Sequence, residues 1–98
     1  MEINKTAFGS ILTIALTGRL DTTTAPQLEA ELQSSLTNVS ELTLDFSALD
    51  YISSAGLRVL LAAQKAMNKQ GSMKIRSVNA DIMEVFEITG FSDILTIE

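Results

Sequence analysis

Hydrophobic and polar residues alternate in three stretches of the chain, as they do in strands that have one buried face. These stretches predict strands over residues 10–17, 41–46 and 72–78. Shorter strands are predicted over residues 2–7 and 94–97. The first two strands are close enough in sequence to pair as an antiparallel hairpin.

Between the strands, apolar residues recur at the three- and four-residue spacing of helices. This spacing predicts one helix that begins after Thr24, one over residues 54–69 and one over residues 80–89. The run Thr24–Gln27 fits a capping box, with Thr24 as N-cap and Gln27 at the third helical position. Asn79 is expected to cap the third helix.

The predicted order is β-β-α-β-α-β-α-β, and helices between successive strands imply right-handed crossovers and a partly parallel sheet. We therefore predict an α/β fold with a mixed β-sheet of about four to five strands, flanked by three or more helices. With 98 residues, of which 46% are hydrophobic, the chain is expected to form a single domain over residues 1–98.

Composition narrows the classes of function. The formal net charge of −5 disfavours nucleic acid and anionic membranes as partners. The sequence contains no cysteine and no histidine, which removes thiol nucleophiles, thiolate or imidazole metal sites and the commonest general base. We expect no enzymatic activity, no metal and no cofactor. The lack of a signal peptide or a membrane-spanning apolar run predicts a cytoplasmic protein without membrane insertion.

The most informative run extends from Asp50 to Leu61, where an apolar strand turns into the longest predicted helix. Ser53 and Ser54 lie at the start of that helix. Free backbone N–H groups and the positive end of the helix dipole favour a phosphate at such a position. We therefore expect either serine to be a place where phosphate can be bound or covalently added. In the simpler interpretation, Ser54 is only the N-cap.

Several short motifs occur together in a recognisable order. In this order and spacing, nearly the whole chain resembles a STAS domain, specifically a stand-alone anti-sigma factor antagonist, also called an anti-anti-sigma factor. The motifs that carry the resemblance are Leu16–Asp21 with Thr24 and Ala25, Leu44–Ser47, Tyr51–Leu57 and Ile88–Phe91.

The resemblance implies a protein-binding switch. In this family the unmodified antagonist binds an anti-sigma factor that is also a serine kinase, and thereby frees a sigma factor. The kinase phosphorylates one serine at the start of the second helix, which prevents binding. A phosphatase resets the antagonist.

Aligning Gly56 and Leu57 with the family motif places Ser54 at the modified position, with Ser53 as the alternative. Ser53 then stands where the family has aspartate, and Ala55 replaces a second hydroxyl. The family's aspartate before the first helix maps to Asp21. The predicted partner-binding residues are Asp21, Thr22, Thr23, Ser53, Ser54, Gly56 and Arg58.

A second function stays open. A STAS accessory subunit of a transport or signalling complex would bind its partner without phosphorylation. Structural roles also stay open for single residues: Asp21 as a turn residue, Gly56 as a site of close helix packing, and Arg19 and Arg58 as solvated side chains.

Overall fold

A computed structural model describes all residues from Met1 to Glu98. It contains four strands, three α-helices and one short 3₁₀ turn over Phe91–Asp93. The elements are β1 (Glu2–Phe8), β2 (Ile11–Leu20), α1 (Ala25–Ser35), β3 (Glu41–Ile52), α2 (Ser54–Asn68), β4 (Ser72–Arg76) and α3 (Ala80–Thr89).

The four strands form one mixed sheet in the order β1-β2-β3-β4. β1 and β2 pair antiparallel, whereas β2 with β3 and β3 with β4 are parallel. The predicted α/β class, hairpin and partly parallel sheet are therefore confirmed. The predicted strand over residues 94–97 is wrong, because that segment makes only an isolated bridge between Ile97 and Ile75.

One face of the sheet carries the hydrophobic core. On β2 the side chains of Leu12, Ile14 and Leu16 are buried, while those between them are not. Helices α1, α2 and α3 add their own buried residues to the same cluster. The apolar faces of the helices thus pack on the strands that carry matching apolar positions.

β2 and β3 both run further than the alternating pattern predicts. β3 continues to Ile52, so the predicted end of this strand at residue 46 is wrong. The cause is irregular pairing: the β2–β3 register shifts between Ala15 and Thr17 and again between Gly18 and Arg19. Such bulges break the two-residue period that identifies a strand in the sequence.

The third helix matches its prediction. The Asn79 side chain accepts a hydrogen bond from the backbone N–H of Ile82 at 2.8 Å, as an N-cap does. Gly90 ends the helix in the left-handed conformation, with φ of 82°. None of the helices combines the length and the apolar character needed to span a bilayer.

Candidate functional site

The ends of β2 and β3 lie side by side and position the candidate site. Leu20, the last residue of β2, pairs with Ile52, the last residue of β3. The backbone N–H of Ser53 donates to the carbonyl oxygen of Leu20 at 2.9 Å. Because parallel strands end at the same edge of a sheet, the Asp21 loop and the start of α2 leave the sheet together.

The residues that follow these strand ends form what we call the strand-end surface. It comprises Asp21, Thr22, Thr23, Ser53, Ser54 and Arg58. All seven predicted partner-binding residues thus lie on two chain segments anchored to one edge of the sheet, and six of them form this surface.

Asp21 organises the turn into α1. Its Oδ1 atom accepts hydrogen bonds from the backbone N–H groups of Thr23 and Thr24, at 3.0 and 3.1 Å. The bond from the Thr24 N–H is the main reason that the pKa of Asp21 is lowered, and Arg19 contributes a weaker coulombic effect. Asp21 therefore has a structural role in the turn, because its carboxylate accepts hydrogen bonds from the backbone of the same loop.

The predicted capping box at Thr24–Gln27 is wrong. Thr24 already has helical backbone angles, and its side chain makes no capping hydrogen bond to α1. Its hydroxyl instead donates to the carbonyl of Arg19 at 2.8 Å and accepts from the N–H of Asp21 at 2.9 Å. The Gln27 side chain donates to the carbonyl of Met1. Thr24 thus fixes the loop ahead of the helix.

Arg19 and Tyr51 form a contact that the sequence pattern does not reveal. They are partners in the β2–β3 register. The guanidinium carbon of Arg19 lies 4.1 Å from the centroid of the Tyr51 ring, a distance at which a cation–π interaction is favourable. Arg19 Nε also lies 3.7 Å from Asp21 Oδ2. The Arg19 side chain is exposed to solvent, as predicted, and also contacts these two neighbours.

Ser53, not Ser54, caps α2. Ser53 has extended backbone angles, and its Oγ accepts a hydrogen bond from the N–H of Gly56 at 3.4 Å. The interpretation of Ser54 as the N-cap is therefore wrong. Serine and aspartate are comparably good N-caps.

Ser54 is the first residue of α2 and is exposed. No other group of the protein forms a hydrogen bond with its hydroxyl, and the chain has no histidine. The accessibility of Ser54 suits it to be modified by another protein.

Gly56 lies beneath the strand-end surface and is buried. A Cβ atom at this position would lie 2.7 Å from Leu20 Cγ and 2.9 Å from Ile52 Cγ1. The prediction that Gly56 contacts a partner is corrected, because Gly56 is buried against the ends of β2 and β3. It lets the start of α2 approach the ends of β2 and β3 closely.

Arg58 stands one helical turn after Ser54 and is exposed. It takes part in none of the four ion pairs of the protein. Its side chain borders a groove of about 190 Å³ between the starts of α1 and α2. The other residues that line this groove are Thr22, Ala25, Pro26, Glu29, Ala55 and Val59.

Comparisons with known proteins find a matching family and a similar relative. The family described as Mlab, STAS domain, matches residues 4–96. A protein of Bordetella bronchiseptica, named as the anti-sigma factor antagonist BtrV, is 36% identical over 99 residues. That match covers 99% of this chain and 85% of BtrV.

Solved structures show the same fold. The crystal structure of an anti-sigma factor antagonist from Mycobacterium paratuberculosis matches with a TM-score of 0.88 at 20% identity, covering 98% of this chain and 83% of that one. The anti-sigma factor antagonist SpoIIAA has been solved unphosphorylated and, as the Bacillus cell fate determinant, phosphorylated. These structures match with TM-scores of 0.78 and 0.77 at 17% identity, and cover 99% of this chain and 87% and 91% of theirs.

Proposed function

The chain belongs to the STAS domain family, and from this premise we propose that it is an anti-sigma factor antagonist controlled by phosphorylation of Ser54. The unmodified protein binds an anti-sigma factor that has serine kinase activity. Binding releases a sigma factor and so regulates transcription. Phosphorylation of Ser54 ends the interaction, and a phosphatase restores it.

The proposal depends most on the contrast between two adjacent serines. The Ser53 hydroxyl is engaged by the N–H of Gly56, whereas the Ser54 hydroxyl is exposed and has no partner within the protein. A kinase reaches Ser54 without breaking a capping hydrogen bond. Support also comes from BtrV, which is named as an antagonist, and from SpoIIAA, which has been solved in both phosphorylation states.

The modification is a phosphoryl transfer in which this chain is the substrate. The Ser54 oxygen forms a bond to the γ-phosphorus of ATP held by the kinase. The bond between that phosphorus and the bridging oxygen breaks, and ADP leaves. The hydroxyl proton passes to a base of the kinase. The phosphatase hydrolyses the phosphoserine, which restores the Ser54 hydroxyl and releases inorganic phosphate.

The fold should tolerate the phosphate, while a partner bound over it should not. Phosphorylation adds about −1.5 to −2 charges at pH 7. At an exposed helix N-terminus a negative charge is favoured by about 0.3–1 kcal/mol. A charge that is buried and mispaired in an interface costs about 2–5 kcal/mol instead. Asp21, which follows the neighbouring strand end, adds negative charge to the same surface.

The proposal is tested by incubating the protein with its cognate kinase and ATP and counting phosphates by mass spectrometry. We expect one phosphate on the native chain, one on Ser53→Ala and none on Ser54→Ala. Labelling that persists in Ser54→Ala but disappears in Ser53→Ala would assign the modification to Ser53. Circular dichroism of both variants controls for loss of folding.

Binding measurements on the native chain and on Ser54→Asp distinguish the phosphorylation switch from the function as an accessory subunit. If the protein acts without phosphorylation, its partner should bind native chain and Ser54→Asp equally. The identity of the partner in a pulldown, an anti-sigma kinase or a component of a transport complex, then separates the two functions.

A further inference from the structure

Arg58 is the fourth residue after Ser54 in α2. Residues four apart lie on the same face of a helix, one turn above the other. Long side chains on a helix point back toward its N-terminus. An Arg58 side chain that follows this direction reaches along the helix surface toward Ser54.

Other cations near the strand ends are already engaged. Arg19 lies over the Tyr51 ring and beside Asp21. Arg76 pairs with Asp45 at 3.3 Å. Arg58, by contrast, is exposed and has no ion-pair partner. Its side chain is free to adopt a new partner without breaking an existing contact.

We propose that Arg58 is the intramolecular partner of the phosphate on Ser54. This inference rests on the proposed function, because it concerns the phosphorylated state of the same serine. The phosphate at the start of α2 and the guanidinium one turn later form a charge-assisted pair. Arginine suits this role because its planar fork can engage two phosphate oxygens at once.

Because of this pairing, phosphorylation weakens partner binding in a second way, besides repulsion between the phosphate and the partner. In the unmodified protein Arg58 is available on the strand-end surface to an acidic side chain of the partner. In the modified protein Arg58 is turned toward its own phosphate. One covalent change thus introduces a negative charge and removes a positive contact from the same surface.

Two other segments that lie beside the start of α2 also carry charged groups. Asp21 and Arg19 belong to the end of β2 and the loop after it, and Glu29 lines the groove that Arg58 borders. Both carboxylates oppose the dianionic phosphate, whereas Arg19 is engaged by Tyr51 and Asp21. Arg58 is therefore the cation expected to dominate the second pKa of the phosphate.

The test uses the full chain with phosphoserine incorporated at position 54 during translation, so that no kinase is required. ³¹P NMR follows the second pKa of the phosphate, which is about 6 for an unperturbed group. We expect Arg58→Ala to raise this pKa by about 0.2–0.4, because an i,i+4 ion pair is worth about 0.2–0.5 kcal/mol. Arg58→Lys, which keeps the charge, should retain most of the effect.

Lys65→Ala is the matched control, since Lys65 is an exposed, unpaired cation further along α2. It should leave the phosphate pKa unchanged. An identical pKa in the native chain and Arg58→Ala, with amide spectra that show both folded, would overturn the pairing. If instead the pKa shifts as expected but the cognate kinase does not modify Ser54, the pairing holds and the proposed function fails.

Discussion

The carbonyl oxygen of Leu20 accepts a hydrogen bond from the backbone N–H of Ser53 at 2.9 Å. This bond extends the β2–β3 pairing by one step beyond Ile52, where β3 ends. It fixes the residue that caps α2 to the last residue of β2. The exposed Ser54 therefore directly follows a hydrogen-bonded junction of β2, β3 and α2.

Removing the Ser53 cap should destabilise the fold. In Ser53→Ala the N–H of Gly56 loses its side-chain acceptor. We expect a loss of about 1 kcal/mol, which lowers the melting temperature by about 4–8 °C in a domain of this size. Ser53→Asp should stay close to the native value because aspartate caps equally well. Equal melting temperatures for Ser53→Ala and the native protein would contradict the capping role.

Adding a methyl group at Gly56 should also destabilise the protein. The new Cβ would lie 2.7 Å from Leu20 Cγ, so the Leu20 side chain, the strand end or the helix must shift. Such overpacking costs about 1–3 kcal/mol, whereas replacing glycine with alanine inside a helix gains about 1 kcal/mol. We expect a net loss in Gly56→Ala, measured by urea denaturation.

The exposed Ala62 of the same helix provides the control for helix propensity. Ala62→Gly should lose about 1 kcal/mol through propensity alone. If Gly56→Ala were more stable than the native protein by the amount that Ala62→Gly loses, close packing at Gly56 would be disproved.

Two hydrogen-bonded aspartates should make the protein sensitive to acid. The pKa of Asp21 is lowered chiefly by the Thr24 N–H, and that of Asp45 chiefly by the Ser47 N–H. A carboxyl whose pKa is lower in the folded state than the ordinary value of about 3.9 stabilises the fold above that value. Its contribution disappears as the pH falls through the folded pKa.

We therefore expect the melting-temperature difference between the native protein and Asp21→Asn or Asp45→Asn to shrink as the pH falls from 6 to 3. Asp50→Asn is the control, since Asp50 is exposed and makes no hydrogen bond or ion pair through its side chain. Parallel curves of melting temperature against pH for native, Asp21→Asn and Asp45→Asn proteins would contradict the predicted linkage.

The element types follow from the sequence more readily than the ends of β2 and β3. The alternation of Leu42, Leu44 and Phe46 identifies β3, but it is lost after Phe46. There the register shifts so that Leu49 and Ile52 can still face the core. A bulge is fixed by pairing with a neighbouring strand, which a local pattern does not contain.

Some features of the candidate site can likewise be predicted from the sequence, whereas others depend on the folded structure. The position of Ser54 at the start of α2 follows from the strand-to-helix change in the sequence. The choice of Ser53 as cap and the failure of the Thr24–Gln27 capping box depend on backbone angles set by the loop. The contact between Arg19 and Tyr51 arises only once β2 and β3 are in register.

The effect of phosphorylation on binding is tested most directly with the anti-sigma kinase recovered by pulldown. Isothermal titration calorimetry would compare unmodified chain with chain that carries phosphoserine at position 54, and Ser54→Ala as a control that cannot be modified. We expect the unmodified chain and Ser54→Ala to bind alike. The phosphorylated chain should bind at least about 30-fold more weakly, which corresponds to about 2 kcal/mol. Equal affinity of the unmodified and phosphorylated chains would contradict the account.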